Sequence, residues 1–231
     1  AAVCVSRAVS AMKNAGQDKG FELFRLKDMS DAARKAMAES RLISRDLLQH
    51  ADTAAALLRP QDATTIMIGE DDHLRIQAIR PALDLNAAAQ ACFEVEDALS
   101  RQTSFAFDDQ LGYLTACPTN TGTGMRASLL MHLPMLTQGK QMGNVGQLVS
   151  KVGLNIRGVY GEGADALGNI YQISNQVTLG RTEQELIATV TALGNQLCDM
   201  ESALRDKARN EGRIPLEDMI LRSWGILTHA R

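Results

Sequence analysis

The sequence predicts an α+β fold built on antiparallel sheet, and three observations carry that expectation. Thr64-Thr-Ile-Met-Ile68 reads as a buried strand and Leu74-Arg-Ile-Gln-Ala-Ile79 alternates apolar and polar like a second one. The acidic turn Gly69-Glu-Asp-Asp-His73 between them makes the pair a hairpin. Residues 154–160 and 169–174 form another strand pair around a glycine-rich loop. Helical runs separate these hairpins, which is the pattern of helices flanking an antiparallel sheet.

The remaining elements follow in chain order. Residues 1–20 open with a short apolar, strand-like run and continue into Asn14-Ala-Gly-Gln-Asp-Lys-Gly20, a loop by composition. Residues 30–58 are rich in Ala, Leu, Arg and Glu at helical spacing, with Ser30-Asp31 as the cap and Arg59-Pro-Gln-Asp62 as the break. Residues 86–102 follow the helical period, with Ala89, Phe93, Ala98 and Leu99 near one side. Residues 111–115 are strand-like, 125–136 predict a helix that stops near Pro134, and 145–152 predict an amphipathic helix. Thr182 caps a long helix, with Glu185 in the reciprocal capping position. Its apolar face runs through Leu186, Val190, Leu193, Leu197, Met200 and Leu204. Residues 205–212 form a charged end, and 216–224 a last short helix. There is no internal repeat and no low-complexity segment.

Composition narrows the function. A chain of 231 residues holds one large domain, or a domain with a small appendage. Aromatic residues make up only 4%, so aliphatic side chains and ten methionines must fill the core. A net charge of −3 argues against a nucleic-acid partner, whose binders carry a basic face. No apolar run reaches membrane-spanning length and none has the flanks of a signal peptide. The chain opens on Ala1 rather than Met, so a trimmed start is expected. Cys4, Cys92, Cys117 and Cys198 show no metal-type spacing and fit free thiols of a reducing cytoplasm. His50, His73, His132 and His229 are equally scattered, so no metal-ligating set is expected.

Chemistry concentrates in three short stretches. Gly112-Tyr-Leu-Thr-Ala-Cys-Pro-Thr-Asn-Thr-Gly-Thr-Gly-Met-Arg-Ala-Ser128 places a cysteine, a Pro-Thr-Asn turn and a glycine-rich bend before Arg126. The acidic turn Glu70-Asp71-Asp72 ends in His73-Leu-Arg75. The loop Arg157-Gly-Val-Tyr-Gly-Glu162-Gly163 pairs an arginine with a carboxylate among glycines, and Arg7 follows Ser6 near the start. Each alone has a plain reading: a solvated hairpin turn, surface arginines, ordinary turn glycines, and a cysteine acting as a small buried hydrophobe. Their joint occurrence points to phosphoryl transfer onto a guanidinium group. A guanidinium is a poor nucleophile because it stays protonated and its lone pairs are delocalised. Carboxylates must orient its planar fork and accept a proton, and dense positive charge must neutralise the nucleotide phosphates. The hydroxyl and amide groups of Thr115, Thr119 and Asn120, around Pro118, are donors suited to a Cys117 thiolate.

Cys117-Pro-Thr-Asn-Thr-Gly-Thr-Gly-Met-Arg-Ala-Ser128 resembles the signature of the phosphagen (guanidino) kinases, and Glu70-Asp-Asp-His-Leu-Arg75 resembles their Asn-Glu-Glu-Asp-His-Leu-Arg. Arg157-Gly-Val-Tyr-Gly-Glu-Gly163, followed by Gly168-Asn-Ile-Tyr-Gln-Ile-Ser-Asn175, resembles the bacterial branch of that family, the protein-arginine kinases. The resemblance runs from about Phe21 to the C-terminus, and the first twenty residues share only Ser6-Arg7. It implies a reduced N-terminal segment, 1–58, and a catalytic domain, 59–231, of antiparallel sheet flanked by helices. It implies ATP with Mg2+ and an arginine side chain of a protein as acceptor. By position, Arg7, Arg75, Arg126 and Arg157 would contact the ATP phosphates. Arg41 stands where relatives have a nucleotide-site histidine. Ala127, Ser128 and the backbone of Gly158, Val159, Tyr160 and Gly161 would line the nucleotide site. Asp71 and Glu162 would grip the acceptor guanidinium, with Cys117 against it as a thiolate.

Three departures from the family pattern shape the alternatives. Asp71 replaces a Glu that is one methylene longer, and misplacing a catalytic group by about 1 Å can cost roughly 100-fold. The opening motif Ser-Arg-x-Arg-x-x-Arg reads Ser6-Arg-Ala-Val-Ser-Ala-Met12, so Val9 and Met12 replace two arginines. The chain is shortened between Asn14 and Phe21, and it ends at Arg231 where relatives continue into a phosphoarginine-binding domain, so such a pocket is not expected. One alternative is a catalytically weak or inactive relative acting as a nucleotide-binding regulatory module. The other is a kinase of free arginine or another small guanidine. The resemblance implies protein substrates with exposed arginine, an activator protein, chaperone-linked protease machinery and a role in stress, with no nucleic-acid or membrane partner. The apolar tail 219–227 packs either on the chain's own core or on a second copy in a homodimer.

Overall fold

The computed structural model describes residues 2–14, 20–158 and 166–229. It divides into two compact units, the first formed by residues 1–125 and 177–183, the second by 126–176 and 184–231.

In the first unit, β1 (Glu22–Arg25), β2 (Ala55–Arg59), β3 (Thr64–Ile68) and β4 (Leu74–Ala78) form an antiparallel sheet in that spatial order. Leu57 pairs with Ile66, and Ile66 with Ile76. Side chains alternate between faces along each strand. Ala55, Leu57, Ile66 and Ile68 therefore meet Val5, Ala8, Ala11 and Met12 of α1 (Ala2–Asn14) and Val95, Ala98 and Leu99 of α3 (Leu85–Ser100). Ala56 and Met67 face the other way, onto Leu26, Ile43 and Leu47, around α2 (Asp31–Glu39) and the turn that follows it. With both faces covered, β3 is buried along its whole length. A two-stranded ribbon, β5 (Phe107–Asp108) and β6 (Gly112–Tyr113), completes this unit.

In the second unit, β7 (Ser128–His132), β9 (Ile170–Asn175) and β8 (Leu154–Gly158) form an antiparallel sheet with β9 in the centre. One face is the buried set Leu129, Met131, Leu154, Tyr171 and Ile173. The other carries the exposed Leu130, His132, Asn155 and Arg157. The helices are α4 (Pro134–Gln138), α5 (Met142–Lys151), α6 (Glu183–Glu211) and α7 (Arg213–His229). Leu186, Ile187, Val190, Leu193 and Leu197 are the buried stripe of α6. Beyond them the buried Glu201 accepts the backbone N–H groups of Met135 and Leu136, each at 3.0 Å, and so satisfies two donors at the start of α4. No side chain of α7 is buried.

The antiparallel α+β architecture and both hairpins match the sequence reading; several other assignments do not. Residues 2–14 are helical rather than strand-like, because Val5, Ala8, Ala11 and Met12 fall on one helical face. The run 30–58 is not one helix. Ser30 caps α2 by accepting Ala33 N–H at 3.2 Å, α2 ends at Glu39, and Ala55–Arg59 is a central strand. Alanine favours helices, but a position covered on both faces selects for small apolar bulk instead. Residues 128–132 form a strand rather than a helix. Leu129 and Met131 are buried while Leu130 and His132 are exposed, which is period two. Pro134 does not stop a helix there; it opens α4, where its missing N–H costs nothing. On α3 the buried face is Ala91, Val95, Ala98 and Leu99, with Ala89 and Phe93 half-buried, and α7 extends well beyond the expected 216–224. The expected boundary between 58 and 59 falls inside β2, which is bonded to both β1 and β3. Most of the expected loop 14–20 lies outside the described residues.

Candidate active site

In the first unit the β3–β4 turn is the focus. Gly69, at φ +84°, donates its N–H to His73 O at 3.2 Å, which folds the turn tightly around three successive acids. Their fates differ. Glu70 is nearly buried, and both of its oxygens lie 3.0 Å from Nη1 of Arg75. It also accepts the hydroxyl of Ser44. Asp72 Oδ1 accepts the backbone N–H of Ala116 at 2.7 Å. Asp71 is exposed and has no hydrogen-bond or ion-pair partner among the described residues.

The Asp72 contact brings the acidic turn to the cysteine loop. Cys117 Sγ lies 3.0 Å from Thr119 Oγ1. The carbonyl of Cys117 accepts the Thr115 hydroxyl at 2.7 Å and the Asn120 N–H at 2.9 Å, and Cys117 has further polar contacts. Thr178 braces the loop from outside, its hydroxyl 2.9 Å from Thr119 O and 2.7 Å from Thr121 O. That approach requires a glycine at 122. Its φ is +117°, and a Cβ there would stand 2.7 Å from Thr178 O. Tyr113 exchanges backbone hydrogen bonds with Gly122 and donates its phenol to Glu96 at 3.0 Å. Burial and Glu96 push its pKa up to about 12, so it stays a neutral phenol. Burial likewise raises the Cys92 thiol to about 11, which removes it as a nucleophile at neutral pH.

Two expected nucleotide contacts share a sheet face. Arg41 lies in a left-handed turn (φ 61°), and its carbonyl accepts Gln77 Nε2 at 2.7 Å. Gln77 and Arg75 are two apart on β4 and so point to the same side. Arg7 is exposed on α1, one turn beyond Cys4, whose thiol donates to His73 O at 3.7 Å.

The second unit holds the remaining expected positions. Arg126 is exposed and precedes a strand, so it does not open a helix as the sequence suggested. Ala127 N–H donates to the buried side chain of Asn175 at 2.8 Å. Across the open face of the sheet, Gln172 accepts from Arg157 Nη2 at 3.4 Å and donates to Ser128 Oγ at 3.3 Å. Gly158 is buried opposite Tyr171 at the end of β8. Val159, Tyr160, Gly161 and Glu162 lie outside the described residues. Ser44, Glu70, Asp72, Gln77, Gln172, Asn175 and Thr178 were not anticipated as partners. Of these, Glu70 and Asp72, flanking Asp71, and Gln172 and Asn175, within the 168–175 stretch, carried a sequence signal. Among the described residues no three His, Cys, Asp or Glu side chains are grouped to hold a metal ion, and no helix is long and apolar enough to cross a membrane.

Comparison with known proteins places these features in a common frame. The ATP:guanido phosphotransferase C-terminal catalytic domain matches residues 4–204. The protein-arginine kinase of Syntrophomonas wolfei is 45% identical over 217 residues, covering 92% of this chain and 60% of the relative. That of Moorella thermoacetica is 44% identical over 227 residues, covering 98% of this chain and 65% of the relative. The chain thus spans about three fifths of the length of these curated relatives. Among solved structures, the duplicated taurocyamine kinase of Schistosoma mansoni with bound transition-state-analogue components superposes with a TM-score of 0.74 at 26% identity, over 90% of this chain and 30% of that one. With the catalytic-domain match taking in residues 4–204 of 231, the chain belongs to the ATP:guanido phosphotransferase family.

Proposed function

We propose that this chain transfers the γ-phosphoryl group of MgATP to arginine side chains of proteins. The observation that carries the proposal is the 2.7 Å hydrogen bond from Ala116 N–H to Asp72, which holds in one local assembly a thiol at 117 and a carboxylate at 71 that has no partner among the described residues. The choice of protein arginine over a small guanidine rests on relatives at 41–45% identity that are protein-arginine kinases.

The chemistry assigns each group a task. The carboxylates of Asp71 and Glu162 orient the acceptor guanidinium and strip one proton from the attacking nitrogen. That nitrogen forms the new P–N bond, the bond from Pγ to the bridging oxygen breaks, and ADP leaves with the electron pair. Cys117, as a thiolate, lies against the guanidinium and offsets its charge. Arg7, Arg41, Arg75, Arg126 and Arg157 neutralise the phosphate oxygens, on which charge redistributes during transfer. Ala127, Ser128 and the backbone of 158–161 line the nucleotide site, and Mg2+ arrives with ATP as part of the substrate. An activator protein, a chaperone-linked protease, a cytoplasmic location and a homodimer belong to the same reading.

One observation favours a weaker enzyme or a regulatory nucleotide-binding module. Met12, where the family motif has an arginine, is 1% exposed in the core between α1 and the sheet. A phosphate-binding cation is therefore lost there.

The deciding experiment incubates the chain with MgATP and an unfolded basic protein, followed by mass spectrometry under conditions that preserve phosphoarginine. Acid-labile phosphate on protein arginine is expected, and Glu162→Gln should abolish it while ATP still binds. ATP binding without phosphoarginine in the unmutated chain would favour the regulatory module. Phosphate appearing on free arginine instead would favour a small-guanidine kinase.

A further inference from the structure

The three acids of the β3–β4 turn are adjacent in sequence but differ in what they hold. Glu70 is committed to Arg75 and Ser44. Asp72 is committed to Ala116, 44 residues away in the chain. Asp71, between them, is exposed and has no partner among the described residues. A carboxylate accepting a backbone N–H makes a short, charge-assisted bond, roughly twice as strong as a neutral one. Its donor here is the residue directly before Cys117. The loop is also tied to itself through Thr115 and Asn120 and braced by Thr178. The Asp72 bond ties its upstream end to the turn.

We infer that Asp72 is a positioning residue that sets the placement of Cys117 Sγ relative to the Asp71 carboxylate by holding Ala116 N–H. The inference rests on the proposed function for its catalytic consequence. Its structural part stands separately: without the Asp72 carboxylate, the backbone entering Cys117 loses its hold on the turn. A displacement of about 1 Å in a reacting group is enough to lower transfer roughly 100-fold.

The test compares the unmutated chain with Asp72→Ala and Asp72→Asn. Alanine removes the acceptor, whereas asparagine keeps an oxygen at the Oδ1 position without the charge. The first readout is iodoacetamide alkylation of Cys117 relative to the exposed Cys198, followed by peptide mass spectrometry. Asp72→Ala should change that ratio about threefold or more, and Asp72→Asn should stay within about twofold of the unmutated chain. The second readout is phosphoryl transfer. Asp72→Ala should lower kcat about 100-fold with KM for ATP within about twofold, and Asp72→Asn should recover most of the loss. A residue that only stabilised the fold would lower Tm without moving the Cys117-to-Cys198 ratio or splitting kcat from KM. An unchanged ratio in Asp72→Ala overturns the inference whatever the activity. If the unmutated chain transfers no phosphoryl group, the proposed function falls while the alkylation arm still decides the role of Asp72. Should Asp72→Ala fail to fold, Asp72→Ser serves in its place, because its hydroxyl falls short of Ala116 N–H.

Discussion

Arg59 grips Asp62 as a fork, with Nε 2.8 Å from Oδ1 and Nη2 2.7 Å from Oδ2. The pair closes the turn between β2 and β3. Arg80, just past β4, adds a third bond at 3.0 Å to the same carboxylate, and Phe21 lies under the Arg59 guanidinium at 5.0 Å. One acid thereby ties the two outer strands of a three-strand meander together at the same end of the sheet.

That fork makes stability depend on pH in a defined window. The Arg59 hydrogen bonds hold the Asp62 carboxyl down at about 2, from an ordinary 3.8. A depressed folded-state pKa means the stabilisation is present above about 3.8 and is lost as pH falls through about 2. Asp62→Asn should therefore be less stable than the unmutated chain at pH 6, by about 1 kcal/mol after solvent screening. The gap should close between pH 4 and pH 2. Denaturant midpoints across that range check it, and a gap constant down to pH 2 would remove the ion pair as the cause.

Glu201 is expected to matter more than its position on a polar helix end suggests. Glu201→Ala leaves the N–H groups of Met135 and Leu136 without an acceptor and Arg205 without its partner at 3.0 Å. The cost should be about 2–4 kcal/mol. Glu201→Gln keeps one acceptor oxygen and should lose less. Urea unfolding of both variants measures the difference; equal losses would mean the charge rather than the acceptor geometry dominates.

Two glycine substitutions should have opposite signs. Gly122→Ala forces a side chain into left-handed backbone and against Thr178 O, so it should destabilise by about 1–3 kcal/mol and disturb the Cys117 loop. Gly146 lies within α5, and a Cβ added there would meet nothing within 4 Å, so Gly146→Ala should stabilise by about 0.5–1 kcal/mol. Thermal melts of the pair provide the comparison.

With Asp71 in its proposed catalytic role, Asp71→Glu should raise turnover, because the longer side chain restores the reach of the glutamate that the resemblance implies at that position. The gain should lie within about 100-fold, the range associated with a misplacement of about 1 Å. Steady-state assays with MgATP decide this, and an unchanged or lower kcat would remove side-chain length at 71 as a rate limit.

The sequence was most informative where the chain is locally self-consistent. The β3–β4 hairpin was legible because its turn, its alternation and its glycine agree, and α6 because its apolar period is long. It was least informative where burial overrides propensity. Ala55 and Ala56 read as helix formers yet sit in a strand whose two faces are both covered. Leu129 and Met131 share a run with Leu130 and Leu133, so period two was masked by a nearly continuous apolar string. At the candidate site, the motifs exposed Asp71, Cys117 and the arginines. The groups that hold them, such as Asn175 behind Ala127 and Thr178 behind Gly122, lie about 50 residues away in sequence and become visible only through folding.

The helix α7 keeps none of its side chains buried, and Trp224, the chain's single tryptophan, is 65% exposed there. Tryptophan emission is therefore a native optical label for that helix alone. A blue shift would register any surface that comes to shield its indole ring, with no dye, tag or mutation required.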